Sequence, residues 1–127
     1  MKRNMEISYI ASNVEVSGLS RLFKALGDDT RLRIMALLAH GELCVAHIED
    51  ALGLSQPNAS RHLSILSAAG VVTRRRADRW VYYKLAPRSK DETGRHIETL
   101  VGGFANNDAL RRDVERLRKS KGPDAGK

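Results

Sequence analysis

A single cysteine, Cys44, is the first thing this 127-residue chain is short of. One thiol excludes a disulfide framework within the chain and fits a reducing compartment, so a cytoplasmic protein is expected. Long apolar runs are absent as well: no stretch approaches the roughly 20 residues that a transmembrane helix needs. The basic start at Lys2 and Arg3 leads into Glu6, Asn13 and Glu15 instead of an apolar leader, so no secretory signal is expected. Catalytic signatures are missing too, with no GxSxG, P-loop, HExxH or GxGxxG. The four histidines and Cys44 fall without a partner pattern, and the expectation is no enzyme and no catalytic residues. There are no internal repeats and no interdomain linker, and this length supports one domain around one modest core.

What is present is a localised positive charge. Between Ala51 and Lys90 stand Arg61, Arg74, Arg75, Arg76, Arg79, Lys84, Arg88 and Lys90 against Asp78 alone. That excess equals the formal net charge of the whole chain, +7, so the remaining segments are balanced. A contiguous basic footprint is what a polyanionic partner requires; the plainer reading is a solvated surface.

Periodicity divides the chain. Residues 1–14 show no period and read as an arm. From Val16, Leu19, Leu22, Phe23 and Leu26 recur at helical spacing until Gly27. Asp28, Asp29 and Thr30 offer N-caps for a second helix with Leu32, Met35, Ala36 and Leu38 or Ala39 inward, ending at Gly41. "CVAHIEDALG" reads as a short third helix with Val45, Ile48 and Leu52 inward and Gly53 closing it. Ser55 is the natural N-cap of a fourth, with Pro57 in its first turn, Ala59, Leu63, Leu66 and Ala69 on one face, and Gly70 at its end. "VVTRRR" and "RWVYYKL" follow as a hairpin turning near Ala77–Asp78, with Pro87 beyond it. Tyr82 and Tyr83 alternate, so one is expected in the core and one at the surface, while Trp80 reads as a packing residue. "KDETGRHIETLVGGF" then reads as a helix, and "DALRRDVERLRKS" as another with Leu110, Val114 and Leu117 inward, before a tail expected to be disordered. The predicted fold is mainly α with a small β-hairpin wing, a winged helix-turn-helix. That unit spans 15–105, followed by a C-terminal helix and tail over 106–127.

Function concentrates in "LSQPNASRHLSILSAAGVV", residues 54–72, whose apolar half is scaffold and whose polar half is free to read. The major groove admits one α-helix, and that helix must be backed rigidly through its other face. Gln56 suits adenine, Arg61 guanine or a phosphate, and Asn58 and Ser60 either. The Ser55 hydroxyl and the helix dipole favour a nearby phosphate. His62 is open to a phosphate contact or to helix packing. Arg74, Arg75, Arg76 and Arg79 on the wing read as phosphate contacts. The partner is thus double-stranded DNA, with no membrane; a winged helix used for non-specific DNA architecture or protein–protein contact is the alternative.

"LFKALGDDTRLRIMALLAHGELCV", "LGLSQPNASRHLSILSAAGVV" and "RRADRWVYYKL" together resemble the ArsR/SmtB family of bacterial metal-responsive repressors, over about Leu19 to Leu85. The resemblance implies a homodimer of winged-helix subunits joined through the first and last helices, which represses an operon and leaves a palindromic operator when an inducer binds. Leu19, Leu22, Phe23, Ile97, Leu100, Val101 and Phe104 are then the expected dimer interface. It also places Cys44 in the family's arsenic-sensing stretch, where cysteines two and five residues further on complete three thiolates. Here those positions are Ala46 and Glu49. Cys44 and His47, at i and i+3 beside Glu42 and Glu49, remain as zinc ligands in principle, against a buried cysteine and an exposed histidine. Asp91 and His96 lack the spacing of the family's other metal site. A metal ion and a small-molecule inducer both stay open.

Overall fold

The computed structural model describes residues 16–86 and 107–121, with Thr99 and Gly103 between them. The arm, the tail and, apart from those two positions, the helix expected at 90–104 lie outside the described residues, and with them Ile97, Leu100, Val101 and Phe104. Among the described residues five helices and three strands follow in the order α1 (Val16–Leu26), α2 (Asp29–Leu38), β1 (Leu43–Cys44), α3 (Val45–Leu52), α4 (Gln56–Ala68), β2 (Val72–Ala77), β3 (Trp80–Leu85) and α5 (Asp108–Lys121). None of the described helices is long and apolar enough to cross a membrane.

Helix α2 is the centre of the domain. Asp28 caps it by accepting the Arg31 amide at 3.0 Å, satisfying one of the donors that every helix start leaves open. Ile34, Met35, Ala36, Leu37 and Leu38 are all buried, whereas Leu32 is only half-buried and Ala39 is exposed. The sequence pattern places one stripe inward and omits Ile34 and Leu37. The difference arises because α1, α3, α4, β3 and α5 all pack against this helix, so almost no side of it faces water. Fully burying a side chain such as Ile34 or Leu37 stabilises the fold by about 1.5–3 kcal/mol.

Helix α3 turns Ile48, Ala51 and Leu52 inward and ends at Gly53, whose φ of 66° is the left-handed conformation that a residue without a Cβ adopts at little cost. The Leu54 amide donates to the Glu49 carbonyl at 2.9 Å, closing the turn that aims α4. Helix α5 contributes Leu117 to the same core, with Val114 packed against it. It is tied to α2 by a fork: Arg33 Nε and Nη2 each donate to the buried Asp113 carboxylate at 2.8 Å. Arg116 also pairs with Asp113 and donates to the Ala51 carbonyl of α3 at 2.9 Å.

The sheet has the order β1–β3–β2, all antiparallel. Strand β1 takes Cys44, the first residue of the predicted third helix, together with Leu43: Leu43 pairs with Tyr83 and Cys44 with Tyr82. Two residues carry no period, so this strand is invisible until its partner is in place. In the hairpin, Ala77 pairs with Trp80 and the turn is Asp78–Arg79, with Asp78 at φ 57°. Tyr82 and Tyr83 point to opposite faces yet both are buried, correcting the expectation of one surface tyrosine. Tyr83 joins the core, and the Tyr82 ring lies under the Arg75 guanidinium, 4.5 Å from its centroid.

Candidate nucleic-acid interface

Helix α4 has two unlike sides. Ala59, Leu63 and Leu66 are wholly buried, while Gln56, Asn58 and Arg61 are exposed and Ser60 half-buried. Ser55 caps the helix, its hydroxyl accepting the Asn58 amide at 3.3 Å, and Pro57 sits in the first turn, where a missing N–H costs nothing. Gln56 Nε2 donates to Ser60 Oγ at 3.4 Å, so both polar groups lie on one strip of the helix.

The wing stands beside that strip. Strand pairing puts Arg74 opposite Tyr83 and Arg76 opposite Val81, on the hairpin face that carries the core residues Val72 and Tyr83 and the partly buried Val81 and Leu85. Between this face and the helices lies a pocket of about 260 Å³, whose walls include Cys44, Glu49, Gln56, Ser60, Arg74 and Trp80. Arg79 reaches the same pocket and lies 5.3 Å from the Trp80 ring centroid. Trp80, read from sequence as a packing residue, is 44% exposed. It sits at the hairpin tip, in the wall of the pocket.

Two residues assigned to the DNA face are engaged elsewhere. Arg75 is on the opposite face of the hairpin, where its Nε donates to Glu42 Oε2 at 2.9 Å and its Nη2 to Oε1 at 2.7 Å. That hydrogen-bonded guanidinium holds the Glu42 carboxyl below its ordinary range. His62 turns into the domain and is buried. Arg31 Nη1 lies 3.2 Å from its Nδ1, and Asp28 Oδ2 lies 3.8 Å away. Burial pushes the imidazole below its ordinary value; Asp28 opposes the shift, and Arg31 and Arg61 add to it. The Asp28 carboxyl is itself lowered, chiefly by the Arg31 amide it accepts.

Cys44 is buried in the wall of the pocket, and His47 is half-buried one turn along α3. Glu42, a further oxygen ligand in the sequence reading, is committed to Arg75. Among the described residues no group of three or more His, Cys, Asp or Glu side chains is placed to hold a metal ion.

On α1, Leu19 and Phe23 are exposed at 39% and 66%, whereas Leu22 packs against the core. Sequence reasoning did not single out Arg31, because its acceptors, the Lys24 and Ala25 carbonyls of α1 and His62 Nδ1 of α4, come from two other helices and nothing local marks it.

The chain is 44% identical over 99 residues to the arsenic resistance transcriptional regulator ArsR1 of Pseudomonas putida, covering 76% of this chain and 74% of that one. The family model described as "Bacterial regulatory protein, arsR family" matches residues 28–74. The chain belongs to the arsR family. It is also 48% identical over 68 residues to the arsenical resistance operon repressor of Escherichia coli, covering 53% of this chain and 58% of that protein. Among solved structures it resembles a homodimeric winged helix-turn-helix DNA-binding domain from Mycobacterium bovis. That likeness has a TM-score of 0.60 at 32% identity, over 70% of this chain and 82% of the other. The matched arsR segment runs from the cap of α2 into β2, so it contains α3, the turn at Gly53 and the whole of α4.

Proposed function

We propose that this chain is a sequence-specific transcriptional repressor that binds an operator in double-stranded DNA as a homodimer and is released by an inducer. It has no catalytic role. The observation that carries the reading is the division of α4: a fully buried apolar face behind a capped N-terminus that presents Gln56, Asn58, Ser60 and Arg61. Such a helix enters the major groove with its first turns at the base edges. The Ser55 cap lies where a helix start favours a phosphate, and Arg74, Arg76 and Arg79 extend the contact along the backbone. Names of the relatives, an operon repressor among them, point the same way.

Dimerisation through α1 follows from Leu19 and Phe23, apolar and open on one helix face, together with Ile97, Leu100, Val101 and Phe104 of the segment beyond the wing. Phe23→Asp is expected to yield monomers by light scattering and to lose operator affinity, because two half-sites no longer act together. Arsenite does not suit this effector chemistry. A soft trigonal site needs three thiolates, and a dimer of this chain holds two.

The reading helix is tested by Ser60→Ala combined with Arg61→Ala. Both changes lie off the apolar face, so the fold should persist while each base interaction removed costs about 1–3 kcal/mol of discrimination. A double variant that enriches the same duplex from a random pool as the wild-type protein would exclude α4 as the reader.

A further inference from the structure

One guanidinium joins three helices. Arg31 Nε donates to the Ala25 carbonyl at 2.7 Å and Nη2 to the Lys24 carbonyl at 3.0 Å, both in the last turn of α1. The last carbonyls of a helix lack the amides that a further turn would supply, so Arg31 acts as their cap, beside the Gly27 amide that also donates to Lys24 at 3.3 Å. The third arm, Nη1, reaches His62 Nδ1 at 3.2 Å on the inner side of α4. Arginine only donates, so Nδ1 is the acceptor and the ring is neutral with its proton on Nε2. Asp28 closes the group by accepting the Arg31 amide.

We propose that Arg31 is a positioning residue for operator reading: it sets the rotation of α4 against the end of α1 by holding His62. The inference rests on α4 being the reading helix. His62 directly follows Arg61 and lies one turn beyond Asn58, so a change in how α4 seats at His62 moves the reading side chains with it. An α-helix behind a close-packed core shifts as a body, and a displacement near 1 Å misplaces bidentate hydrogen bonds to bases far more than contacts to phosphates. The same guanidinium holds the end of α1, the helix whose Leu19 and Phe23 face outward. A subunit partner seated on α1 is thereby coupled to the angle of the reader. Lysine, a compact charge on a flexible stem, cannot span three acceptors in one plane.

Protonation of His62 removes the acceptor. The charged groups facing the ring are Asp28 at the start of α2, Arg31 on α2 and Arg61 on α4 itself. The two arginines oppose a charged imidazole and Asp28 favours it. Because the imidazole is held below its ordinary 6.5, the clamp is intact above that pH and opens as pH falls through the lowered value.

The test measures affinity for a duplex enriched from a random pool by the wild-type protein and, separately, for a scrambled duplex of the same composition. Arg31→Lys is expected to weaken the enriched duplex by on the order of tenfold, with the scrambled duplex, its salt dependence and the helical circular dichroism unchanged. His62→Gln, which keeps an acceptor, should retain preference and lose the acid-side decline; His62→Leu should lose preference at every pH. Equal weakening of both duplexes by Arg31→Lys would make the residue merely structural and overturn the proposal. So would a His62→Gln that behaves like His62→Leu. Unaltered preference in Ser60→Ala with Arg61→Ala would instead fell the reading-helix assignment, and this inference with it.

Discussion

Two arginine–carboxylate forks in this protein share a geometry and differ in setting. Arg33 grips Asp113 through Nε and Nη2 at 2.8 Å, and Arg75 grips Glu42 through the same atoms at 2.9 and 2.7 Å. The Asp113 side chain is 1% exposed, whereas Glu42 is 28% and Arg75 55% exposed. The first pair pins α5 across α2, with Arg116 as a second cation. The second joins the loop before β1 to the back of the wing. Equal distances therefore do not mean equal consequences, because water and salt compete for the outer pair and are excluded from the carboxylate of the inner one. The outer fork also bears on the proposed function, as the inner one does not. It occupies Arg75, whereas Arg74 and Arg76 are exposed on the other face; in the proposed function these two, with Arg79, are the wing's phosphate contacts.

The largest effect is expected at the inner pair. Asp113→Ala should lower stability by about 2–4 kcal/mol, read from urea unfolding. The figure sits toward the low side for a broken buried pair because the one-third-exposed Arg33 side chain can turn to solvent. Replacing both partners, Arg33→Met with Asp113→Leu, should recover most of the deficit. A double variant as unstable as Asp113→Ala would mean that the ion pair itself, and not the orphaned arginine, carries the difference.

Next in size is the contrast between the two wing faces. Arg74→Ala and Arg76→Ala should weaken binding to all DNA and reduce the slope of log affinity against log salt by about 0.9 for each phosphate that is no longer neutralised. Arg75→Ala should leave that slope unchanged. Equal slopes for Arg75→Ala and Arg76→Ala would show that the Glu42 fork opens on DNA and that both faces touch the backbone.

The smallest effect belongs to the outer fork itself. Glu42 has a folded-state pKa below its ordinary value of 4.5, so its contribution is present above that pH and is lost as pH falls through the lowered value. Wild type and Glu42→Gln should differ by no more than about 1 kcal/mol at neutral pH and converge in acid and in high salt. A gap that persists below the carboxylate range would mean that Glu42 acts through packing instead of charge.

Much of this was legible along the chain. The Ser55 cap, Pro57, the buried Ala59–Leu63–Leu66 face and the Gly53 turn are local features, and local chemistry announces them: a hydroxyl where an amide needs an acceptor, an absent N–H where none is needed, and apolar groups at helical spacing. The hairpin was equally readable from β-branched and aromatic runs. Ile34 and Leu37 were not, because a helix packed from several directions has no polar face to betray its orientation. The expectation that one of Tyr82 and Tyr83 is at the surface failed because Arg75, from the neighbouring strand, lies over the Tyr82 ring.

By itself the sequence determined the order of the described helices and the hairpin, the capped helix α4 and the basic stretch that follows it, since each depends on residues within a turn or two of one another. Tertiary structure alone decided which arginines are free and which are held. Arg31, Arg33 and Arg75 find His62, Asp113 and Glu42 at separations of 31, 80 and 33 residues. Seven units of net charge can be counted from composition, but whether a guanidinium faces solvent, a carboxylate or an imidazole depends on which distant element folds against it.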